Sequence, residues 1–177
     1  PAMQTLKSLY GIQQSSVISA VDLIRGIGVY AGMKVIHVEG ATGLYDTNYE
    51  GKAAAALEAL KTDDLVYLHV EASDEAGHEG DVRLKIQTIE DLDHRIVGPV
   101  LQALQTWEKP VAIAVLPDHP TPCSIRTHTN VPVPFLIYRP GDEPDSVTVF
   151  DEFSVEGGKY GLLEKNEFIK LLIKSEK

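Results

Sequence analysis

A chain of 177 residues, 44% hydrophobic and 24% charged, is long enough to bury the core of one domain, and its composition excludes a disordered segment. Its formal net charge of -10 argues against binding nucleic acid or anionic lipid, both of which call for clustered Lys and Arg. No apolar run reaches the roughly 18 to 20 residues of a membrane span, no basic-then-apolar signal opens the chain, and the single cysteine, Cys123, excludes an internal disulfide framework and a cysteine-rich zinc site. A cytoplasmic protein is expected.

The chain opens on Pro1 without an initiator methionine, so a fragment or processed piece is expected, although a tag scar or methionine removal explains the same start. Residues 14–18 are short and β-branched enough for a strand. Residues 20–31 then place Val21, Leu23, Ile24, Ile27 and Val29 for a mostly buried helix closing near Gly32. KVIHV at 34–38 is the next strand. The loop GATGLYDTNYEG leads into an alanine-rich helix at 52–61, and 65–70 reads as a buried third strand. Strands alternating with helices at this spacing predict crossover units and a largely parallel sheet.

After an acidic loop, the longest helix is predicted over 81–107, with Leu84, Ile86, Ile89, Leu92, Ile96, Val97, Val100, Leu101 and Leu104 near helical period and a kink at Pro99. VAIAVL at 111–116 reads as a strand buried on both faces. A long loop, PDHPTPCSIRTHTNVPVP, follows it. A strand at 135–138, a short one at 147–150 and a helix at 166–174 complete the prediction, with no repeat, low-complexity tract or linker marking a second domain.

Chemistry concentrates in the loops that follow two strands: Asp74 and His78 in the first, Asp118, His119 and His128 in the second. Ligands of open parallel sheets bind beyond the carboxyl ends of the strands, which is where these loops lie. Carboxylate with imidazole suits Mn²⁺, Zn²⁺ or Mg²⁺, imidazole favouring the first two. A lone DxxxH is common in surface loops. An acid–histidine pair ending so apolar a strand, with THTN eight residues on, is harder to attribute to packing. Five such groups exceed one small site and fall one or two short of a closed pair of sites. His37, His69 and His94 read as core or helix-surface histidines, and GATG as a turn. Glu71, Glu75, Glu79 and Asp81 are a solvated acidic cluster or contain a general acid or base. Ser73, Ser124 and Cys123 follow no nucleophile pattern and read as structural.

The segments SVISAVDLIRGIGVYAGM, GATGLYDTNYEGKAAAAL, DLVYLHVEASDEAGHEGD, KIQTIEDLDHRIVGPVL and LPDHPTPCSIRTHTNVPVPFLIY together resemble the archaeal-type cofactor-independent phosphoglycerate mutases of the alkaline phosphatase superfamily. The resemblance implies an alkaline phosphatase-like α/β fold and places the whole chain, residues 1–177, in the C-terminal portion of the metal-binding domain. It also implies two divalent metals, Mn²⁺ first and Zn²⁺ or Mg²⁺ as alternatives. Asp74, His78 and His128 match the ligands of one metal, and Asp118 and His119 match two ligands of the other. The family's nucleophilic serine, its remaining metal-binding aspartate and an inserted substrate-binding domain have no match here and are expected upstream, so the isolated chain is expected to be inactive.

The implied partner is phosphoglycerate or a similar small phosphorylated substrate, with Arg126 as a candidate contact to phosphate. Homoserine kinase, a phosphonopyruvate decarboxylase and a non-catalytic metal-binding relative share the same motifs and stay open. So does the oligomeric state.

Overall fold

Ser15–Ile18, labelled β1, is buried at every position, and Val17 and Ile18 are almost wholly inaccessible. In the computed structural model, which describes residues 3–174, this strand is the centre of a three-stranded parallel sheet in the order β2-β1-β3, with β2 at Lys34–Ile36 and β3 at Leu65–Leu68. Val17 lies opposite Val35 on one side and Tyr67 on the other. The helices are α1 (Leu6–Tyr10), α2 (Asp22–Tyr30), α3 (Tyr49–Ala59), α4 (Ala72–Glu79), α5 (Val82–Leu92) and α6 (Gly98–Leu104). Strands and helices alternate, and the mostly parallel sheet is flanked by helices, as the sequence predicts.

These elements belong to the first of two units, residues 1–106 with 122–127. Its core gathers Tyr49, Ala53, Ala72 and Ile96, with Leu68, Val70, Leu92 and Val100 packed against them. Arg95 lies 4.5 Å from the Tyr49 ring centroid and holds Glu50 with two hydrogen bonds of 2.6 and 2.9 Å.

Several expectations are corrected. α1 was not foreseen, although Thr5 caps it and Gly11, at φ 74°, ends it. α3 starts three residues early because Asn48 accepts a hydrogen bond from Gly51 N at 2.8 Å and caps the helix there. α2 is not mostly buried: Leu23, Ile27, Val29 and Tyr30 are exposed, and Gly28 is the residue that packs inward. β3 is only half-buried and Tyr67 is exposed, because among the described residues the strand pairs on one side alone.

The long helix is interrupted by a π-helical turn, Asp93–Val97. Gly98 N bonds the Asp93 carbonyl, five residues back. Pro99 explains the break, since proline lacks an N–H and its ring crowds the carbonyl four residues earlier.

The second unit comprises residues 107–121 and 128–177. There β4 (Ile113–Val115) pairs antiparallel with β5 (Leu136–Tyr138), Ala114 opposite Ile137. β4 is half-buried throughout rather than covered on both faces. No strand forms at 147–150, where Val149 and Phe150 are exposed. Phe135 packs edge-on to Phe168, and the Arg139 guanidinium donates to the carbonyls of Leu171 and Leu172 at the end of α7 (Glu167–Ile173). No helix among the described residues is long and apolar enough to cross a membrane.

α2 approaches the sheet tightly at Gly28, where an added Cβ would meet Val17 Cγ1 at 2.5 Å. Val17 is fully buried and has no room to move aside. Gly28→Ala is therefore expected to destabilise the fold by roughly 1–3 kcal/mol through overpacking. Urea unfolding would show a lower midpoint at unchanged slope, whereas Gly26→Ala, with open space at that position, serves as control.

Candidate metal centre

α4 follows β3 after three residues, and His69 N bonds the Ile18 carbonyl at 2.8 Å on the way, so the carboxyl edge of the sheet sets where the helix begins. Asp74 and His78 are therefore not in a loop, which corrects the sequence reading. They stand one turn apart on α4, with His78 Nε2 3.3 Å from Asp74 Oδ2. Ala72, Ala76 and Gly77 are the buried residues of the helix, so small side chains seat it on the core while the acid and the histidine share another face. Gly80, at φ 73°, terminates it, and Asp81 turns to cap α5 by accepting from Leu84 N at 2.9 Å.

The carboxylates of Glu71, Asp74 and Glu75 can bring oxygens within 4.8 Å of one another. His78 Nδ1 lies 3.1 Å from the Arg126 carbonyl oxygen. Arg126 is exposed, and its backbone takes the left-handed conformation at φ 59°.

In the second unit, β4 leads into Asp118 and His119. Asp118 Oδ1 accepts from His119 N at 3.0 Å, and Asp118 Oδ2 lies 3.6 Å from His119 Nε2. Thr129 N bonds the Pro120 carbonyl at 3.1 Å, which places the rings of His119 and His128 3.8 Å apart. Thr121 Oγ1 is 3.3 Å from His119 Nδ1. The predicted residues thus gather within each unit: Asp74, His78 and Arg126 in the first, Asp118, His119 and His128 in the second.

This donor set of carboxylates and imidazoles fits a divalent cation. In the first unit, a carbonyl occupying Nδ1 leaves Nε2 to face a carboxylate oxygen, an approach that a proton or a cation between them makes favourable.

Of the other histidines, His69 Nδ1 lies 3.2 Å from Ser19 Oγ, His37 Nδ1 lies 3.5 Å from Arg25, and His94 is exposed on the π-helical turn. GATG forms a turn in which Thr42 N donates to Thr47 Oγ1 at 2.9 Å. Lys52 went unnoticed, because a lysine in an alanine-rich helix reads as solvent-facing. It is fully buried, its Nζ donating to the Thr42 carbonyl at 3.4 Å.

Residues 2–174 match the metalloenzyme superfamily. The chain belongs to it. Among curated relatives, the 2,3-bisphosphoglycerate-independent phosphoglycerate mutase of Methanosarcina mazei is 55% identical over 99% of this chain and 44% of its own length. A probable mutase of the same description from Geobacter sulfurreducens is 49% identical over 95% of this chain and 41% of its own. The chain spans less than half the length of these curated relatives.

A solved structure of a Pyrococcus horikoshii protein superposes with a TM-score of 0.89 at 33% identity, covering 98% of this chain and 53% of that one. The cofactor-independent phosphoglycerate mutase of Thermoplasma acidophilum shares the fold, with a TM-score of 0.67 at 24% identity over 90% of this chain and 35% of its own.

Burial holds the Lys52 amine below its ordinary value of 10.5, an effect that attraction to Glu71 partly opposes. Between that depressed value and 10.5 the unfolded chain binds the extra proton, so the contribution of Lys52 to stability rises with pH there. Below this window both states are charged and the cost of burying the charge is at its full value. Unfolding free energies of the wild type minus those of Lys52→Met, measured against pH, should be flat at lower pH and climb toward 10.5. A flat difference at all pH values would mean that the amine is solvated.

Proposed function

We propose that this chain is the C-terminal, metal-binding portion of a cytoplasmic cofactor-independent phosphoglycerate mutase, which interconverts 3-phosphoglycerate and 2-phosphoglycerate. The observation that carries this reading is 55% identity to such a mutase sustained over 99% of the chain, including the segments that bear the acids and histidines. In this reading Asp74, His78 and His128 hold one divalent metal, and Asp118 and His119 contribute to a second, with Mn²⁺ the preferred ion. Metals bound there supply Lewis-acid stabilisation of the charge that develops on a transferring phosphoryl group.

The chain's own residues contribute orientation. One helical turn sets the Asp74–His78 pair, and the Pro120–Thr129 bond sets His119 beside His128. Arg126 offers an exposed guanidinium to a phosphate oxygen. The nucleophile belongs to the remainder of the longer protein. A serine oxygen there bonds phosphorus as the bond to the 3-oxygen of the substrate breaks; the 2-oxygen of the retained glycerate then takes the phosphoryl group and the serine is regenerated.

The longer protein is expected to interconvert the two phosphoglycerates without added 2,3-bisphosphoglycerate, with Mn²⁺ stimulating and chelator abolishing turnover. Nucleotide-dependent phosphorylation of homoserine with no mutase activity would replace this reading by a kinase. The 177-residue chain alone should be silent in the same assay. Losing an outer partner of a metal ligand typically lowers affinity about 10–100-fold, so Asp74→Asn and His128→Ala should each weaken Mn²⁺ binding at least that much in calorimetry. Unchanged binding in both variants would remove these residues from the site.

A further inference from the structure

Arg126 combines two features that its sequence position does not announce. It is one of two non-glycine residues with positive φ among the described residues, at 59°, and its carbonyl oxygen is the atom 3.1 Å from His78 Nδ1. For a residue with a Cβ the left-handed conformation costs of order 1 kcal/mol, so it persists only where the surroundings impose it. Here the surroundings are visible. Ile125 N and Arg126 N both bond the Pro122 carbonyl, at 3.0 and 2.8 Å, which tightens the turn. The guanidinium lies against Gly80, the left-handed glycine that ends α4, where a Cβ would fall on Arg126 Nε.

A carbonyl oxygen can only accept, so the bond assigns a proton to Nδ1; in the neutral ring Nε2, the nitrogen facing Asp74, then carries the lone pair that a cation would take.

We propose that Arg126 is a positioning residue of the metal centre, whose left-handed backbone presents the carbonyl that holds the His78 ring in the Nδ1–H form with Nε2 turned toward Asp74. This rests on the metal-binding reading above. It assigns the task to the backbone of Arg126, separately from any contact its guanidinium makes with phosphate. Glycine at this position keeps the conformation and the carbonyl, whereas a β-branched residue disfavours both.

The test uses the 177-residue chain and two readouts. Long-range proton–nitrogen NMR correlations of the imidazoles, recorded without metal, report the His78 tautomer, and calorimetry then reports Mn²⁺ affinity. Wild type and Arg126→Gly should both show the Nδ1–H form and bind Mn²⁺ alike. Arg126→Val should lose the Nδ1–H form and weaken binding about 10–100-fold, the loss expected for an outer partner. Should that variant fail to fold, Arg126→Ala carries the same comparison with a smaller loss.

Equal losses in the glycine and valine variants would place the effect in the guanidinium and overturn the proposal. So would a valine or alanine variant that keeps both the tautomer and the affinity. If the wild type shows the Nδ1–H form yet binds no Mn²⁺, the metal reading fails and the positioning role falls with it. If it binds Mn²⁺ without that form, only the positioning role fails.

Discussion

The first unit depends on the complete burial of β1. This strand bonds a parallel neighbour on each side, and its four side chains are shielded at every position, so both neighbours and the helices over the sheet take their places from it. Gly28 shows how tight the fit is, since α2 approaches Val17 more closely than any side chain permits. The same strand reaches the candidate site through the His69–Ile18 bond, which extends the ladder past the end of β3. Three residues later α4 begins, so the positions of Asp74 and His78 are fixed by the sheet rather than by a flexible connection.

Burying polar groups near this edge has a cost that the fold offsets only in part. Among the described residues the buried Tyr49 hydroxyl has no hydrogen-bond partner, and its ionisation is pushed upward first by that burial and then by Asp91. Lys52, three residues on, holds its charge against burial with a long bond to a carbonyl and the attraction of Glu71. Replacing such a charge with an apolar side chain is often stabilising, so its presence in a core points to a constraint other than stability. The constraint is geometric here: Lys52 ties α3 to the turn at Thr42 and attracts the residue that immediately precedes α4.

The alternation of strand and helix was readable because strands 14–18, 34–38 and 65–70 are short, rich in β-branched residues and separated by amphipathic or alanine-rich stretches. The fold class and the identity of the candidate ligands followed from that alternation and from where charged residues interrupt it. The conformation of the site residues was not readable. EASDEAGHEG combines serine, aspartate and two glycines, all poor helix formers, and nothing in that local composition reveals that Ala72, Ala76 and Gly77 find a buried surface to pack on. Tertiary packing decided the matter against propensity. Degree of burial was misread for a related reason: apolar composition states what a strand could bury, whereas β3 and β4 are each paired on one side among the described residues. VTVF at 147–150 has strand composition yet pairs with nothing described, since β propensity is realised only against a neighbour.

Each unit holds its candidate donors by different means. In the first, the helical spacing of Asp74 and His78 brings them within 3.3 Å, and the Arg126 carbonyl lies 3.1 Å from the other nitrogen of the imidazole. In the second, a backbone bond between Pro120 and Thr129 closes a turn that brings His119 beside His128, while Asp118 accepts from the backbone N–H of His119. Ordering a long or rotatable side chain at the moment of binding costs about 0.5–1.5 kcal/mol each, so donors fixed during folding leave more of the interaction free energy to appear as affinity. The rigidity also has a chemical consequence. In the proposed centre, a donor held by an outer partner would keep one nitrogen directed at a bound cation, which suits a site where charge on a phosphoryl group would have to be stabilised.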